Sequence, residues 1–181
     1  EFIQWESHPE IWSEAFGMSK DDARKVIASA QDQLIEIIPM IPTLGHFDWV
    51  FRSGSHLDLA EDPERPYAYA VSNPDTYVLV HELFQEALDL FHPRRFHVGH
   101  DEVTMRGRYP WKSRELGDMS DLFVLDVNRH AEWLKQRDVQ PMIWGDMGLA
   151  PGEAVDARNA EKIEAARKIR EGMSKEIIIT D

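Results

Sequence analysis

Two adjacent acids, Asp101 and Glu102, follow directly after the apolar segment 95–99. The composition of that segment predicts a buried strand, and a (β/α) barrel keeps its catalytic groups at the C-terminal ends of its strands. Two carboxylates in different environments can take different roles in catalysis. However, an Asp after a strand often caps the next helix, and the following Glu is then a solvated first-turn acid. The pair alone leaves both interpretations open.

Polar and aromatic residues also follow the other predicted strands. These residues are Glu6, His46, Trp144 and Asp146. In a parallel sheet all such strand ends lie on one edge, which is where ligands bind in barrels and in open sheets. Because the coincidence recurs at four strand ends, it favours a ligand site over simple helix capping.

Short apolar segments alternate with helical patterns along the chain. The predicted strands are residues 2–5, 34–39, 95–99, 139–144 and 176–180, and the predicted helices begin at Ser19, Asn73, Ser120 and about residue 159. This alternation indicates an α/β fold with parallel strands joined by right-handed crossovers. A closed eight-stranded barrel needs roughly 250 residues, so the prediction is either an open doubly wound sheet or an incomplete barrel.

Composition limits the classes of partner. The chain has 181 residues, of which 43% are hydrophobic, and this is enough for the core of one domain. Its net charge of -13 opposes binding to nucleic acids and to anionic membranes. Without cysteine it has neither disulfides nor thiolate chemistry. The first residues already resemble a strand, so the chain is expected to be part of a longer protein, and its compartment stays open.

A metal site at the strand ends is a second interpretation. The side chains of His46, His97, His100, Asp101 and Glu102 include the ligand types of a hydrolytic zinc site. However, His97 and His100 would point to opposite faces of the strand, and their spacing matches no zinc signature. The sequence therefore favours a site without metal or cofactor.

Residues 97–103, which read HVGHDEV, resemble the strand that marks family 20 glycoside hydrolases, the β-N-acetylhexosaminidases. The family strand reads approximately His-Ile-Gly-Gly-Asp-Glu-Val. Residues 38–46, 72–77 and 142–147 resemble further motifs of the family in the same order, and the hexosaminidase D-like branch is the most similar. The resemblance extends over nearly the whole chain and implies that residues 1–181 are a single-domain fragment of a (β/α)8 TIM barrel, with about five parallel strands, numbers two to six.

The resemblance implies removal of terminal β-linked N-acetylhexosamine from a glycan by substrate-assisted retaining hydrolysis, with an oxazolinium intermediate. Asp101 would orient the acetamido group. Glu102 would be general acid and then general base, with a pKa raised by burial and by Asp101. No cofactor or metal is implied.

The resemblance also implies substrate-binding residues. His46 would position Glu102, Trp144 would form a wall of the sugar pocket, and Asp146 follows it on the same strand end. His100 replaces the small residue of the family motif, which would reshape the pocket, and Glu6 aligns loosely with an acid that pairs with the histidine.

Other functions stay open at this point. They are another barrel hydrolase, including a metal-dependent one, and a non-catalytic carbohydrate-binding barrel. The isolated chain is expected to be inactive and to self-associate through an open sheet edge.

Overall fold

Four parallel strands form the sheet in the part of the chain that the structure describes. The computed structural model describes residues 3–11, 17–103, 109–155 and 160–180. The strands are β1 (Met40–Thr43), β2 (Arg95–Gly99), β3 (Gln140–Trp144) and β4 (Ile178–Thr180), and they are ordered β1-β2-β3-β4. All three pairings are parallel, so the predicted α/β class with crossover connections is confirmed.

A helix lies in each connection between neighbouring strands. The helices are α1 (Lys20–Asp32), α2 (Asp48–Phe51), α3 (Pro74–Phe91), α4 (Met119–Lys135) and α5 (Ile163–Gly172). Helix α3 connects β1 to β2, α4 connects β2 to β3, and α5 connects β3 to β4. None of the helices in the described ranges is both long enough and apolar enough to cross a membrane.

Side-chain caps fix the starts of the long helices. The side chains of Ser19 and Asn73 accept hydrogen bonds from backbone amides in the first turns of α1 and α3, as predicted. The start predicted at Ser120 is wrong by two residues. Helix α4 begins after Asp118, because Asp118 and Asp121 form a reciprocal capping box that satisfies two backbone amides.

Two predicted strands are not strands of the described sheet. In the segment 2–5, of which residue 2 lies outside the described residues, Ile3 forms only an isolated bridge to Met18, and Trp5 packs against Trp49 instead. The apolar segment 34–39 precedes the strand rather than forming it. Its first residue, Leu34, is 96% exposed, and pairing with β2 begins only at Met40. The described sheet therefore has four strands instead of five.

Helix α3 packs its apolar stripe against the sheet. The buried side chains of this stripe are Leu79, Val80, Leu83, Phe84, Ala87 and Leu88. The ring of Phe84 lies 4.8 Å from the ring of Phe96 on β2. Burial of one such large apolar side chain stabilises a fold by about 1.5–3 kcal/mol, so this stripe holds α3 firmly behind the strand that carries the acid pair.

A buried polar network lies between β2 and helices α3 and α4. We call it the Asp126 network, and it consists of Thr43, Tyr69, Tyr77, His81, His100, Asp126 and His130. The hydroxyls of Tyr69 and Tyr77 each donate to Asp126 at 2.7 Å. Despite the desolvation that burial causes, contacts with His130 and His100 hold the pKa of Asp126 well below its usual range.

The hydrogen bonds that run from His81 through His130 and Tyr69 to Asp126 have one consistent order of donors and acceptors. Because the Tyr69 hydroxyl donates to Asp126, its oxygen accepts from His130 Nε2 at 2.8 Å. The other ring nitrogen of His130 then accepts from His81 Nε2 at 3.1 Å. Burial lowers the pKa of His130, so both of its contacts fit the neutral ring. The contacts of His81 and His130 are thus satisfied without a buried imidazolium at either residue.

One buried and one half-buried histidine make the fold sensitive to acid. Burial, with a smaller effect of His100, lowers the pKa of His97 to about 4, and burial with His130 lowers that of His81 to about 3. An unfolded histidine titrates near 6.5. Below that pH the unfolded state binds more protons, so the free energy of unfolding falls as the pH decreases from about 6.5 towards these values.

We therefore expect a lower urea midpoint at pH 5 than at pH 7, measured by circular dichroism. His97→Asn is the control, because its amide oxygen can replace the ring nitrogen that accepts from Gly99 and it does not titrate. The variant should lose part of the pH dependence. Equal midpoints of the native protein at the two pH values would contradict the prediction.

Candidate active site

The C-terminal ends of β1 and β2 lie side by side and carry the predicted site. Met40 pairs with His97 and Thr43 with Gly99, so β1 contains one extra residue between these positions. This irregularity is a β-bulge, a feature that often redirects side chains next to active sites. Pro42 lies within it, where the missing N–H of proline is tolerated.

The backbone after β2 is not extended, which changes how the acids are presented. Gly99, His100 and Glu102 have φ values of 74°, 68° and 46°, all in the left-handed region. For residues other than glycine this region is strained, and such strain clusters at functional sites. The alternation of an extended strand ends here, so the side chains of Asp101 and Glu102 are not forced to opposite faces.

Close backbone contact explains two glycines of the site. A Cβ atom on Gly99 would lie 2.9 Å from Pro42 Cα, and one on Gly45 would lie 2.8 Å from the carbonyl oxygen of Asp101. Both distances are too short for a side chain. The β1 loop and the end of β2 therefore touch through their backbones, which brings His46 next to the acid pair.

Both acids face the same imidazole nitrogen. His46 Nε2 lies 3.3 Å from Asp101 Oδ2 and 3.3 Å from Glu102 Oε2. It forms a hydrogen bond of good geometry with neither. The side chains are 27% exposed at Asp101 and 42% at Glu102, so this chain alone does not provide the burial expected for Glu102. One imidazole nitrogen thus contacts both carboxyl groups, and the side chain of Glu102 extends from this contact towards solvent.

Two further side chains hold the backbone of Glu102. Asp146 Oδ2 accepts from the Glu102 amide at 3.0 Å, and the Tyr67 hydroxyl donates to the Glu102 carbonyl at 3.1 Å. The ring of Tyr67 also packs edge-on against His46, with centroids 5.1 Å apart. Asp146 thus holds the backbone of the acid, and the substrate contact expected of it from the sequence stays a prediction. Tyr67 lies in a predicted loop and carried no sequence signal.

A cavity of about 380 Å³ opens in front of Asp101. Its polar lining includes His46 and Asp48, and its aromatic lining includes Trp5, Trp49 and Trp144. A volume of this size is in the range of small-molecule sites, and apolar walls with few polar groups are typical of them. Trp144 packs against His97 with ring centroids 4.6 Å apart. The structure therefore brings His46, Asp101 and Trp144 together as predicted.

Burial has the largest effect on the ionisation of Asp101 and raises the pKa of this carboxyl. His46 opposes the effect, whereas the neighbouring charges of Asp146 and Glu102 add to it. Asp101 thus keeps its proton to a higher pH than an exposed aspartate. Two close carboxylates with unequal burial are the arrangement in which acid and base roles separate.

Two residues expected at the substrate lie elsewhere. His100 is fully buried in the Asp126 network, with Nδ1 2.7 Å from Thr43 Oγ1 and Nε2 2.9 Å from Asp126 Oδ2. Its side chain lies behind the strand, so it cannot contact substrate in this fold. Glu6 is 76% exposed and pairs with Lys20 at 3.1 Å, outside the cavity, because its amide is bound by Glu86 on α3.

The alternative metal site at the strand ends is not assembled. His97 accepts from the Gly99 amide through Nδ1 at 3.0 Å and contacts Thr180 Oγ1 through Nε2 at 2.9 Å. Both of its ring nitrogens are thus occupied within the sheet, while His100 lies on the opposite face. This confirms the separation of the two histidines that the strand pattern predicted.

Comparison with known proteins adds a family to this geometry. The family model described as "Glycosyl hydrolase family 20, catalytic domain" matches residues 5–171. Hexosaminidase D of Homo sapiens is 26% identical over 140 residues, which are 73% of this chain and 29% of that protein. Hexosaminidase D of Bos taurus is 24% identical over 155 residues, which are 81% of this chain and 44% of that protein. The chain thus spans less than half the length of these curated relatives.

Solved structures share the fold. A chitobiase of Flavobacterium johnsoniae superposes with a TM-score of 0.73 at 22% identity, over 98% of this chain and 27% of that chain. A β-N-acetylhexosaminidase of Bacteroides fragilis superposes with a TM-score of 0.71 at 18% identity, over 98% of this chain and 36% of that chain. These likenesses confirm the TIM-barrel type of fold, present here as a part of the barrel.

Proposed function

The chain belongs to glycosyl hydrolase family 20, and from this premise we propose that the protein removes terminal β-linked N-acetylhexosamine from glycans. The observation that carries the proposal is the convergence of Asp101, Glu102 and His46, with both carboxylates 3.3 Å from one imidazole nitrogen. A β-hexosaminidase and a lacto-N-biosidase among the relatives carry names that fit this substrate class. We also propose that residues 1–181 are part of one catalytic barrel.

We propose substrate-assisted retention as the mechanism. The acetamido oxygen of the substrate attacks the anomeric carbon, the glycosidic bond breaks, and Glu102 gives its proton to the leaving oxygen. Asp101 accepts a hydrogen bond from the acetamido N–H and stabilises the positive charge that develops in the oxazolinium ring. Water then opens the ring after Glu102 has taken its proton, which restores the β configuration.

The accessibility of the two acids supports this division of roles. Glu102 is the more exposed of the two acids, so a leaving group and then water can reach it. Asp101 lines the cavity together with Trp144, whose ring can stack on a pyranose face. His46 lies between the acids, with Nε2 3.3 Å from a carboxylate oxygen of each. Asp146 and Tyr67 hold Glu102 through its backbone.

The isolated chain is expected to lack robust turnover. The four-stranded sheet of the described residues is open, and Glu102 is 42% exposed, so the dry pocket that strengthens electrostatic catalysis is incomplete. An open strand edge also favours pairing with another copy of the chain. The function should therefore be tested on the intact protein that carries this domain.

The test compares 4-nitrophenyl β-N-acetylglucosaminide with 4-nitrophenyl β-glucoside as substrates of the intact protein. Hydrolysis of the N-acetyl substrate alone is the expected result, because the glucoside has no acetamido group to act as nucleophile. Equal hydrolysis of the two substrates would overturn substrate assistance. Binding of N-acetylglucosamine without turnover would show a carbohydrate-binding barrel. Loss of activity with a chelator, with no change of folded structure by circular dichroism, would show a metal-dependent hydrolase.

Asp101→Asn should injure hydrolysis of N-acetyl substrates, because the amide cannot stabilise the charge that develops on the acetamido nitrogen. We expect kcat to fall more than KM rises, since the interaction strengthens in the transition state. Steady-state kinetics on 4-nitrophenyl β-N-acetylglucosaminide measures this. Asp48→Asn, which changes another acid of the same cavity, is the control. Unchanged kinetics of Asp101→Asn would exclude substrate assistance through this residue.

A further inference from the structure

A cluster of two histidines and one glutamate lies on the surface outside the cavity of Asp101. His8, Glu10 and His56 each place one ligand atom within 4.8 Å of the others. Glu10 Oε1 lies 3.1 Å from His8 Nδ1 and 2.7 Å from His56 Nε2. Two imidazole nitrogens from separate parts of the chain thus point at a single carboxylate oxygen.

The backbone presets the positions of both histidines. His8 and His56 each precede a 3-10 turn, and their carbonyls accept hydrogen bonds from the amides of Ile11 and Leu59. Ile11 and Leu59 are buried in the core, so both turns are anchored. The His8 and His56 rings meet edge-on, with centroids 5.7 Å apart. The three groups therefore converge on supported segments rather than on free loops.

The second nitrogen of His8 provides an independent indication of a ligand. His8 Nε2 lies 2.9 Å from Glu82 Oε2 on α3. A metal-bound histidine usually donates its other ring N–H to a carboxylate, which fixes the orientation of the ring and raises its basicity. His8 Nδ1 and Nε2 thus each face a carboxylate oxygen. With a cation at Nδ1, the neutral ring satisfies both sides.

The local charge also favours a cation. His8 and His56 line a small cavity of about 230 Å³ together with Asp58, Asp75 and Glu82. Zinc bound to two histidines and one carboxylate at about 2.0–2.1 Å needs donor atoms roughly 3.3 Å apart, and the two contacts of Glu10 found here are 3.1 and 2.7 Å long.

We propose that His8, Glu10 and His56 form a binding site for a divalent transition-metal ion, with Zn²⁺ the best match, and that Glu82 orients His8 from behind. Imidazole donors favour such ions over Ca²⁺ and Mg²⁺, which prefer oxygen ligands. The ion would join the segment at residues 8–10 to the loop at residue 56. Three protein ligands leave the fourth position of a tetrahedral ion to water.

The test is calorimetric titration of ZnCl₂ into the metal-free protein, with CaCl₂ as the comparison. We expect saturable binding of one Zn²⁺ at this cluster, weaker Ca²⁺ binding, and a higher melting temperature with zinc. Glu82→Gln should weaken zinc binding by about 10–100-fold, the usual effect of losing a carboxylate that orients a metal-bound histidine. His56→Asn, which removes a ligand, should weaken it by at least that much.

The chain offers a matched control for His56→Asn. His92 also has a left-handed backbone, with φ of 45° against 60° for His56, and asparagine tolerates this conformation at both positions. His92→Asn should therefore leave zinc binding unchanged. An equal effect of the two variants, or no saturable zinc binding by the native protein, would overturn the proposal.

X-ray absorption spectroscopy at the zinc edge of the zinc-loaded native protein gives a test that needs no variant. Imidazole scattering with Zn–N distances of about 2.0–2.1 Å is the expected result. A shell of oxygen atoms alone, or calcium binding as tight as zinc binding, would show an unspecific acidic surface and overturn the site.

Discussion

Replacement of Glu102 with glutamine should lower the turnover of substrates with poor leaving groups by about 10²-fold or more, the usual contribution of a general acid. The glutamine side chain keeps the shape of Glu102 but cannot give a proton to the leaving oxygen. The bonds from Asp146 and Tyr67 go to the backbone of residue 102, so the loop should keep its position. Kinetics of the intact enzyme on alkyl and 4-nitrophenyl β-N-acetylglucosaminides measures the loss.

Substrates whose leaving groups differ in their need for a proton give the clearest test of Glu102 as the general acid. A 2,4-dinitrophenyl substrate needs little protonation, so Glu102→Gln should affect its bond cleavage much less than that of an alkyl glycoside. Glu115→Gln, at an exposed position in the Ser113–Leu116 turn, is the matched control and should behave as the native enzyme. A variant at position 102 that hydrolyses alkyl substrates at a near-native rate would remove Glu102 from the acid role.

Asp126→Asn should cost about 3–5 kcal/mol of the free energy of unfolding, the scale observed when one partner of a buried charged network is removed. The carboxylate is fully buried and accepts from both Tyr69 and Tyr77. An amide offers only one acceptor oxygen, so its NH₂ group must face one of these hydroxyls or His100. Urea unfolding followed by circular dichroism measures the change.

Glu132→Gln on the same helix is the control for Asp126→Asn. Its side chain is exposed, so we expect a change within about 0.5 kcal/mol, as for most surface substitutions. A loss below about 1 kcal/mol at Asp126 would mean that apolar packing alone holds α4 to the sheet. Because His100 precedes Asp101, a destabilised network should also displace the acid pair and lower activity.

Regular elements with strong local signals could be predicted from the sequence. Strand β2 matches its prediction, and α3 has the stripe and the Asn73 cap that its pattern indicated. The segment 34–39 misled the prediction, because its apolar composition is that of a strand although pairing starts at Met40. Which part of an apolar segment pairs depends on the neighbouring strand, and this is tertiary information.

The candidate site was predictable where the strand-end rule applies. His46, Asp101 and Trp144 follow or end predicted strands, and the structure brings them to one cavity. The substrate contact predicted for Glu6 is not found, because the strand predicted before it is not part of the described sheet. The substrate contact expected of His100 failed because the side chain faces a buried carboxylate on α4, and a single sequence does not reveal that pairing.

The Asp126 network had only a weak sequence signal. Asp126 and His130 are four residues apart on the apolar side of α4, so a polar pair interrupts a stripe that is otherwise core. Such a pair predicts a buried contact but not its partner. Tyr69 and Tyr77, which complete the network, come from a loop and from α3, and only the fold brings them together.

The backbone contacts at Gly45 and Gly99 limit how this site can diversify in evolution or in a mutant library. Because the β1 loop and the end of β2 touch without intervening side chains, His46 and the acid pair must shift together if either loop moves. Substitutions that retune sugar preference are therefore best tolerated on the Trp144 side of the cavity. Randomised positions on that side can change specificity while His46 and the acid pair keep their relative positions.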